Sequence, residues 1–348
     1  MSAQGPWRIT FDTNPDDCNF SCIMCEDHSP YSQTQVKRKS AGKPRRLMNI
    51  ALIRKILEET KGSNLKEIIP STMGEPLLYR QFDQIIAMCH EFQVKLNLTT
   101  NGSFPGKGAL KWAEILVPVC SDIKISWNGA TKEIQEKIMI GSNYEKVLEN
   151  IKTLILVRDT YAQLGGNRCR VTMQITFLED NVEELPDMIK LASRLGVDRV
   201  KGHHLWVHFT KIKGLSMRRS TESITKWNHI VDQCKAVAET HRLPNGKMVL
   251  LENIEKLSEE SAGDRAPSGE CPFLGKEAWV AHDGRFNPCC APDYVRHQLG
   301  DFGFLQDQSL FDAWNSPKYL DLQKNYPNHS LCKTCNMRKP SHRIQEVK

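Results

Sequence analysis

The sequence predicts an α/β protein built on a parallel sheet, with a small cysteine-bound part at its C-terminal end, and three observations carry that reading. Short β-type runs alternate with amphipathic stretches from residue 7 to about 210, in six strand-then-helix units. Strands joined through a helix lie parallel, because the right-handed crossover is nearly obligatory. Beyond a polar stretch, the remaining residues are too poor in regular core to stand without a staple. Five of the 12 cysteines lie there, within Cys271–Cys335.

Each element has its own signal. Trp7–Thr13 (WRITFDT) alternates as a half-buried strand, Leu65–Pro70 (LKEIIP) is a buried-strand run, and Val94–Thr100 (VKLNLTT) is a strand closed by Asn101-Gly102. Ser121–Trp127 (SDIKISW), Arg170–Phe177 (RVTMQITF) and Asp198–Trp206 continue the series. Between them Ile50–Thr60, Phe82–Phe92, Leu110–Leu116, Tyr144–Tyr161 and Val182–Leu195 carry helical spacing, and Ser216–Arg242 adds a long helix. Leu257–Glu270 is polar, with Gly263, Pro267 and Gly269, and reads as a linker. The expected division is therefore 1–256, 257–270 and 271–348. No internal repeat or low-complexity tract is present.

Composition excludes several classes. No apolar run approaches the roughly 18 residues needed to span a bilayer. The N-terminus lacks a basic segment followed by an apolar one, so a signal peptide is not expected and the chain is assigned to the cytoplasm. A net charge of +6 over 348 residues is mild. The basic residues cluster only at Lys37, Arg38, Lys39, Lys43, Arg45 and Arg46. That run reads as a solvated loop or as a site for an anionic substrate or acidic electron donor. No aromatic residues interleave with it, which argues against a nucleic-acid platform. Without an export signal, clustered cysteines point to metal or redox work rather than disulfides.

The first strand ends at Asp12-Thr13, and the loop after it carries Cys18-x3-Cys22-x2-Cys25. Three thiolates this close can occupy three corners of an iron–sulfur cubane and leave the fourth iron open; four would be coordinatively complete. Zinc is the alternative, with His28 at a spacing that allows a fourth ligand. In a parallel sheet reactive groups gather at the C-terminal strand ends, where this loop falls.

CNFSCIMC at 18–25 resembles the CxxxCxxC signature of the radical S-adenosylmethionine (SAM) superfamily. The resemblance covers roughly the first two-thirds of the chain and implies a partial (β/α)6 TIM-like barrel. It also implies a [4Fe-4S] cluster on Cys18, Cys22 and Cys25 whose open iron binds SAM. In that family one electron from the cluster breaks the sulfur–C5′ bond of SAM and releases a 5′-deoxyadenosyl radical. The residue before the third cysteine is usually aromatic and packs near adenine; here a polarizable thioether, Met24, takes its place. Ser71-Thr72-Met73-Gly74-Glu75-Pro76 is similar to the family's "GGEP" loop, implying that Met73, Gly74 and Glu75 hold the SAM ammonium. Met73 stands where the family has its first glycine, and a backbone carbonyl there still accepts a hydrogen bond. Thr100-Asn101-Gly102 and Ser126-Trp127-Asn128-Gly129 also resemble family segments. By that resemblance Ser126 and Asn128, with Gln174 on the fifth strand, are candidates for the ribose and carboxylate of SAM, and Val200-Lys201-Gly202 for adenine. Taken singly, each of these residues is also an ordinary turn or cap residue.

The second cysteine group contains Cys271, then Gly284 and Cys289, and finally Cys332-x2-Cys335. Trp279–Phe286 (WVAHDGRF) reads as a hairpin turning at Asp283-Gly284. Two ligands flanking a hairpin and two from a later CxxC can converge on zinc or on a closed cubane. The stretch resembles the twitch domain, the shortened SPASM domain of radical SAM enzymes, and Leu310–Leu322 is similar to the helix between its cysteine pairs. That resemblance implies one auxiliary [4Fe-4S] cluster on Cys271, Cys289, Cys332 and Cys335. Cys290 is left over as a substitute ligand, a buried thiol or a hydrogen-atom donor. The scattered Cys89, Cys120, Cys169 and Cys234 are buried thiols by default.

A closed auxiliary cluster can accept an electron, so the expected reaction is hydrogen abstraction followed by net dehydrogenation of a small molecule. A twitch-bearing aminocyclitol dehydrogenase is the family precedent. His203, His204 and His208 are candidate bases for a substrate hydroxyl, although alternate facing along a strand prevents His203 and His204 from lining one pocket together. Peptide epimerisation or cross-linking is a second expectation, weakened because only 17 residues precede Cys18 and leave no room for an N-terminal peptide-binding domain. A non-catalytic zinc-binding interaction protein is a third. The expected partners are the substrate and a flavodoxin- or ferredoxin-type electron donor, with no membrane and no nucleic acid.

Overall fold

The structure is a computed structural model that describes residues 5–71, 73–265 and 269–338. Thr72, residues 266–268 of the expected linker, and residues 1–4 and 339–348 of the flanking parts lie outside the described residues. In chain order the elements are β1 (Arg8–Phe11), α1 (Thr34–Ser40), α2 (Ile50–Glu59), β2 (Glu67–Ile69), α3 (Phe82–Glu91), β3 (Lys95–Thr100), α4 (Gly108–Leu116), β4 (Cys120–Ser126), α5 (Lys132–Ile138) and α6 (Tyr144–Gln163). They continue with β5 (Arg170–Phe177), α7 (Leu185–Leu195), β6 (Arg199–His204), α8 (Thr221–Thr240), β7 (Leu250–Glu252), β8 (Glu277–Val280), β9 (Phe286–Asn287), α9 (Asp293–Arg296), α10 (Leu310–Trp314), α11 (Pro317–Asn325) and α12 (Ser330–Thr334). The six expected strands are all present, and the fold is α/β with a mostly parallel sheet that does not close on itself.

The chain divides into two compact units. One takes the residues up to Asp17, Pro44–Leu96 and those from Asp264. In it β1 is central, pairing in parallel with β2 (Arg8↔Glu67) on one side and with β8 (Arg8↔Glu277) on the other. β8 turns back into β9 as the expected hairpin, with Val280 opposite Phe286. Gly284 holds φ at 84° in that turn, a conformation that favours glycine. The arrangement is anchored by Arg8, whose Nε reaches Glu277 Oε2 at 3.1 Å.

The second unit contains Cys18–Lys43 and Asn97–Gly263. β4, β5, β6 and β7 pair in parallel in that order, with Ser126↔Gln174, Thr176↔His203 and Lys201↔Glu252 in register. Alternation gives this sheet two different faces. Ile123, Ile125, Val171, Met173, Ile175, Phe177 and Val200 are buried apolar residues. Asp122, Ser126, Thr172, Gln174, Thr176, Arg199, Lys201, His203 and Glu252 alternate with them and form a polar face. That face is cross-linked: Arg199 pairs with Asp122 and Glu252, and Lys201 Nζ lies 2.6 Å from Glu252 Oε1. α6 is tied down by Arg158, whose buried guanidinium reaches Asp198 Oδ2 at 2.6 Å and the Gly196 carbonyl at 2.9 Å.

Some expectations need correction. The single helix expected over Leu310–Leu322 is two, α10 and α11. Ser316 caps the second through Tyr319 N, and Pro317 at its start cannot continue the first. The helix expected from Val182 begins as a 3-10 turn, and α7 starts at Leu185. β7, α1 and α5 are additions, each too short for its periodicity to register. Among the described residues no helix is long and apolar enough to cross a membrane.

Candidate functional site

The loop after β1 holds the first three thiols. Cys18, Cys22 and Cys25 are half-buried and free of disulfides. Backbone N–H groups point at two of the sulfurs, Phe20 N to Cys18 and His28 N to Cys25, each at 3.4 Å. Ser21 N and Ile23 N donate to the carbonyls of Ile140 and Ile138 at 2.8 and 3.0 Å, which pins the loop along its length. Asn101, at the end of β3, donates Nδ2 to Asn19 Oδ1 at 2.8 Å, with Cys18 Sγ 3.9 Å away. Burial, followed by the neighbouring Cys25 and Cys18, holds the proton on Cys22, and burial pushes the Cys25 thiol up to about 12. Bare thiolates are therefore disfavoured here, and coordination to a cation is what displaces such protons.

In the other unit, the Gly74 loop after β2 is built against the chain that leads to Cys18. A Cβ at Gly74 would lie 2.1 Å from the Asn14 carbonyl oxygen, so no larger residue fits without a shift. Asn14 Nδ2 donates to the Glu75 carbonyl at 2.9 Å, Glu75 N donates to the Asp17 carbonyl at 2.7 Å, and Ser71 Oγ donates to the Gly74 carbonyl at 2.9 Å. The Glu75 carboxylate is buried and accepts from Leu77 N, capping the turn that follows. Met73 is half-buried, as is Met24 in the second unit. Two arginines of the basic run are engaged here: Arg46 binds Asp16 through Nε at 2.8 Å, and Arg45 Nε lies 2.9 Å from Asp17 Oδ1.

On the polar face of β4–β7, His203 lies between Gln174 and Thr176, with Nδ1 3.3 Å from Gln174 Nε2 and Nε2 3.3 Å from Thr176 Oγ1. Burial, helped by Lys201, pushes its pKa down to about 4, so the ring is neutral near pH 7. His204 turns to the opposite face, as alternation requires, and packs edge-on against Phe177 and Trp227 at 5.3 and 4.8 Å. Burial, with Arg218 next, takes it to about 3, and burial takes His208 to about 4. Asn128 is buried in a protein network: its N–H donates to Gln135 Oε1 at 2.6 Å, and its Oδ1 accepts from Thr176 N at 2.9 Å. Val200 is fully buried and paired on both sides, with Met173 and Leu251. Ser126 is half-buried at the end of β4.

The second thiol group lies wholly in the first unit. Cys271, Cys289, Cys290, Cys332 and Cys335 act on one another electrostatically, and burial pushes the Cys289 thiol up to about 12 and Cys290 well above its ordinary value. Leu274 N points at Cys271 Sγ at 3.4 Å and Met337 N at Cys335 Sγ at 3.5 Å. Arg296 and Arg338 add positive charge beside Cys289 and Cys332. Among the described residues no three His, Cys, Asp or Glu side chains converge tightly enough to hold a single metal ion.

The sequence profile of the Radical SAM superfamily matches residues 15–192. The chain belongs to the radical SAM superfamily. The profile of the SPASM iron-sulfur cluster-binding domain matches residues 271–336. Streptococcus suis SuiB bound to precursor peptide SuiA is similar in structure, with a TM-score of 0.66, 15% identity, and coverage of 96% of this chain and 71% of that one. AdoMet-bound anSMEcpe is also similar, with a TM-score of 0.63, 15% identity, and coverage of 95% and 86%. No curated protein matches the chain in sequence. A radical SAM domain takes SAM and a [4Fe-4S] cluster, and a SPASM domain takes auxiliary iron–sulfur clusters. The residues present suit those groups, because both thiol groups offer soft donors with N–H groups aimed at the sulfurs.

Sequence reasoning missed Thr176, Asn14 and Asn19. Thr176 was within reach of it, lying two positions from Gln174 on the same strand face. Asn14 and Asn19 occupy irregular loop, where no periodicity marks them.

Proposed function

We propose that this radical SAM enzyme oxidises a small molecule bearing a hydroxyl group. In this reading Cys18, Cys22 and Cys25 hold the SAM-binding cluster, while Cys271, Cys289, Cys332 and Cys335 hold one auxiliary cluster. Bound there, the first cluster with SAM supplies a 5′-deoxyadenosyl radical, and the auxiliary cluster supplies an electron acceptor. Met24, Met73, Gly74, Glu75, Ser126, Asn128, Gln174 and Val200 are assigned to SAM. Some of these act by shaping loops: Gly74 and Glu75 fix the turn after β2, and Asn128 fixes the ends of β4 and β5.

The observation that carries the oxidation is the neutral His203 on the polar face, held by Gln174 and Thr176. Loss of hydrogen from a carbinol carbon leaves a hydroxyl proton and one electron still to depart. An unprotonated imidazole can take that proton. His204, stacked among aromatic rings, is assigned no part in proton transfer, and Cys290 is assigned to the surroundings of the auxiliary cluster. A flavodoxin- or ferredoxin-type protein is the proposed electron donor.

Peptide modification is the second reading, favoured by the likeness in fold to SuiB, which was crystallised with its precursor peptide. One experiment separates the readings. Protein purified without oxygen should contain about eight irons and form 5′-deoxyadenosine with SAM and a reductant. Polyol and amino-alcohol substrates should then yield ketones in step with 5′-deoxyadenosine. Turnover of peptides alone would shift the assignment to the second reading, and zinc in place of iron would end both.

A further inference from the structure

β9 carries two residues that face opposite ways. Phe286 packs edge-on against Phe302, Trp314 and Tyr319, at centroid separations of 6.2, 6.4 and 5.3 Å. Asn287 follows it and stands opposite Trp279 of β8. Alternation therefore turns its side chain to the face that Glu277 and Trp279 share. Asn287 is 3% exposed, and its Nδ2 has no hydrogen-bond partner among the described residues. Burying such a donor without an acceptor is costly, because it gives up its hydrogen bond to water. A buried amide at that cost calls for an acceptor that the protein's own atoms do not provide.

The surroundings indicate which acceptor. Asn287 is followed by Pro288 and Cys289, so the chain offers no backbone N–H at the position before the thiol. Cys271 and Cys335 already accept N–H groups from Leu274 and Met337, and a side-chain amide two residues before Cys289 extends that pattern.

We infer that Asn287 donates its side-chain N–H to a sulfur of the auxiliary cluster and raises the cluster's reduction potential. This rests on the reading that Cys271, Cys289, Cys332 and Cys335 hold that cluster. An added electron makes the sulfurs more negative, so a donor aimed at them stabilises the reduced state more than the oxidised one. Asn287 is thus a positioning residue that sets how readily the site accepts an electron.

The test uses the full chain with Cys18→Ala, Cys22→Ala and Cys25→Ala, so that only the auxiliary site can give a signal. Asn287→Leu and Asn287→Asp are made in that parent, iron is counted in oxygen-free preparations, and midpoint potentials are titrated by electron paramagnetic resonance. Support requires about four irons throughout, together with a lower potential in the variants. The reduced-to-oxidised ratio at fixed potential should fall about tenfold in the Leu variant, equivalent to about 59 mV for one electron, and further in the Asp variant. Four irons with an unchanged potential would overturn the role of Asn287 and leave the cluster reading standing. A parent without iron overturns the cluster reading and this inference with it. Iron lost from both variants but kept in the parent makes Asn287 a purely structural residue, which also overturns it.

Discussion

Asn101 Nδ2 donates to Asn19 Oδ1 at 2.8 Å, so the turn that ends β3 grips the residue next to Cys18. The grip is returned, with Asn19 Nδ2 donating to Ser103 Oγ at 3.1 Å and Ser103 N to Asn101 Oδ1 at 2.9 Å. Asn101→Ala breaks these contacts to Asn19 and Ser103 and should cost roughly 1–3 kcal/mol. Asn101→Asp should cost more, because two oxygens would then face each other. The expected outcome is a lower unfolding midpoint and less iron at the first site after oxygen-free purification, with the Asp variant worse. If both variants keep wild-type iron and stability, the loop is held by something else.

Gly74 makes a sharper prediction, since the conflict is with backbone rather than with a side chain that can swing aside. Gly74→Ala would drive a Cβ against the carbonyl oxygens of Asn14 and Asp17, at 2.1 and 2.9 Å. The loop must move, which disturbs the segment leading directly into Cys18. We expect 5′-deoxyadenosine formation to fall at least tenfold, about 1.4 kcal/mol, with the auxiliary iron retained. Met73→Gly, beside it, should leave activity within a few-fold of wild type, because the proposed SAM site uses that position through its backbone. Equal losses from the two substitutions would refute the steric argument.

How legible the chain was depended on period. The strands of Trp7–Thr13 and Arg170–Phe177 were readable because alternation spans enough residues to be counted, and Cys18, Cys22 and Cys25 were readable because three thiols at short spacing have few other uses. β8 illustrates what was hidden. Its hairpin with β9 was signalled by Asp283-Gly284, yet its parallel pairing with β1 joins residues 269 positions apart, Arg8 and Glu277, and no local pattern encodes such a partner. The break between α10 and α11 is in plain view at Ser316-Pro317, whereas the single helix over Leu310–Leu322 rests on the resemblance to the twitch domain, which does not weigh that dipeptide. The face of His203 followed from alternation, whereas its clamp by Gln174 and Thr176 needed the register of β5 on β6.

His203, His204 and His208, all half-buried, make stability depend on pH with a definite sign. In the unfolded chain each titrates near 6.5, whereas in the fold His203 and His208 titrate near 4 and His204 near 3. Between those values the unfolded chain binds protons that the folded chain refuses, so stability rises with pH. The contribution is complete above about 6.5 and is lost as pH falls toward about 4. Asp293 and Glu179, whose ionised forms the fold favours, act below their ordinary values of 3.8 and 4.5, so the interval from about 6.5 to 5 belongs to the histidines. Thermal unfolding followed across that interval should show a falling midpoint. His204→Phe keeps a ring against Phe177 and Trp227 and removes one titrating group, so its midpoint should fall less steeply. A midpoint that rises on acidification, or a Phe variant with the parent's slope, would show that these rings are not held neutral by burial.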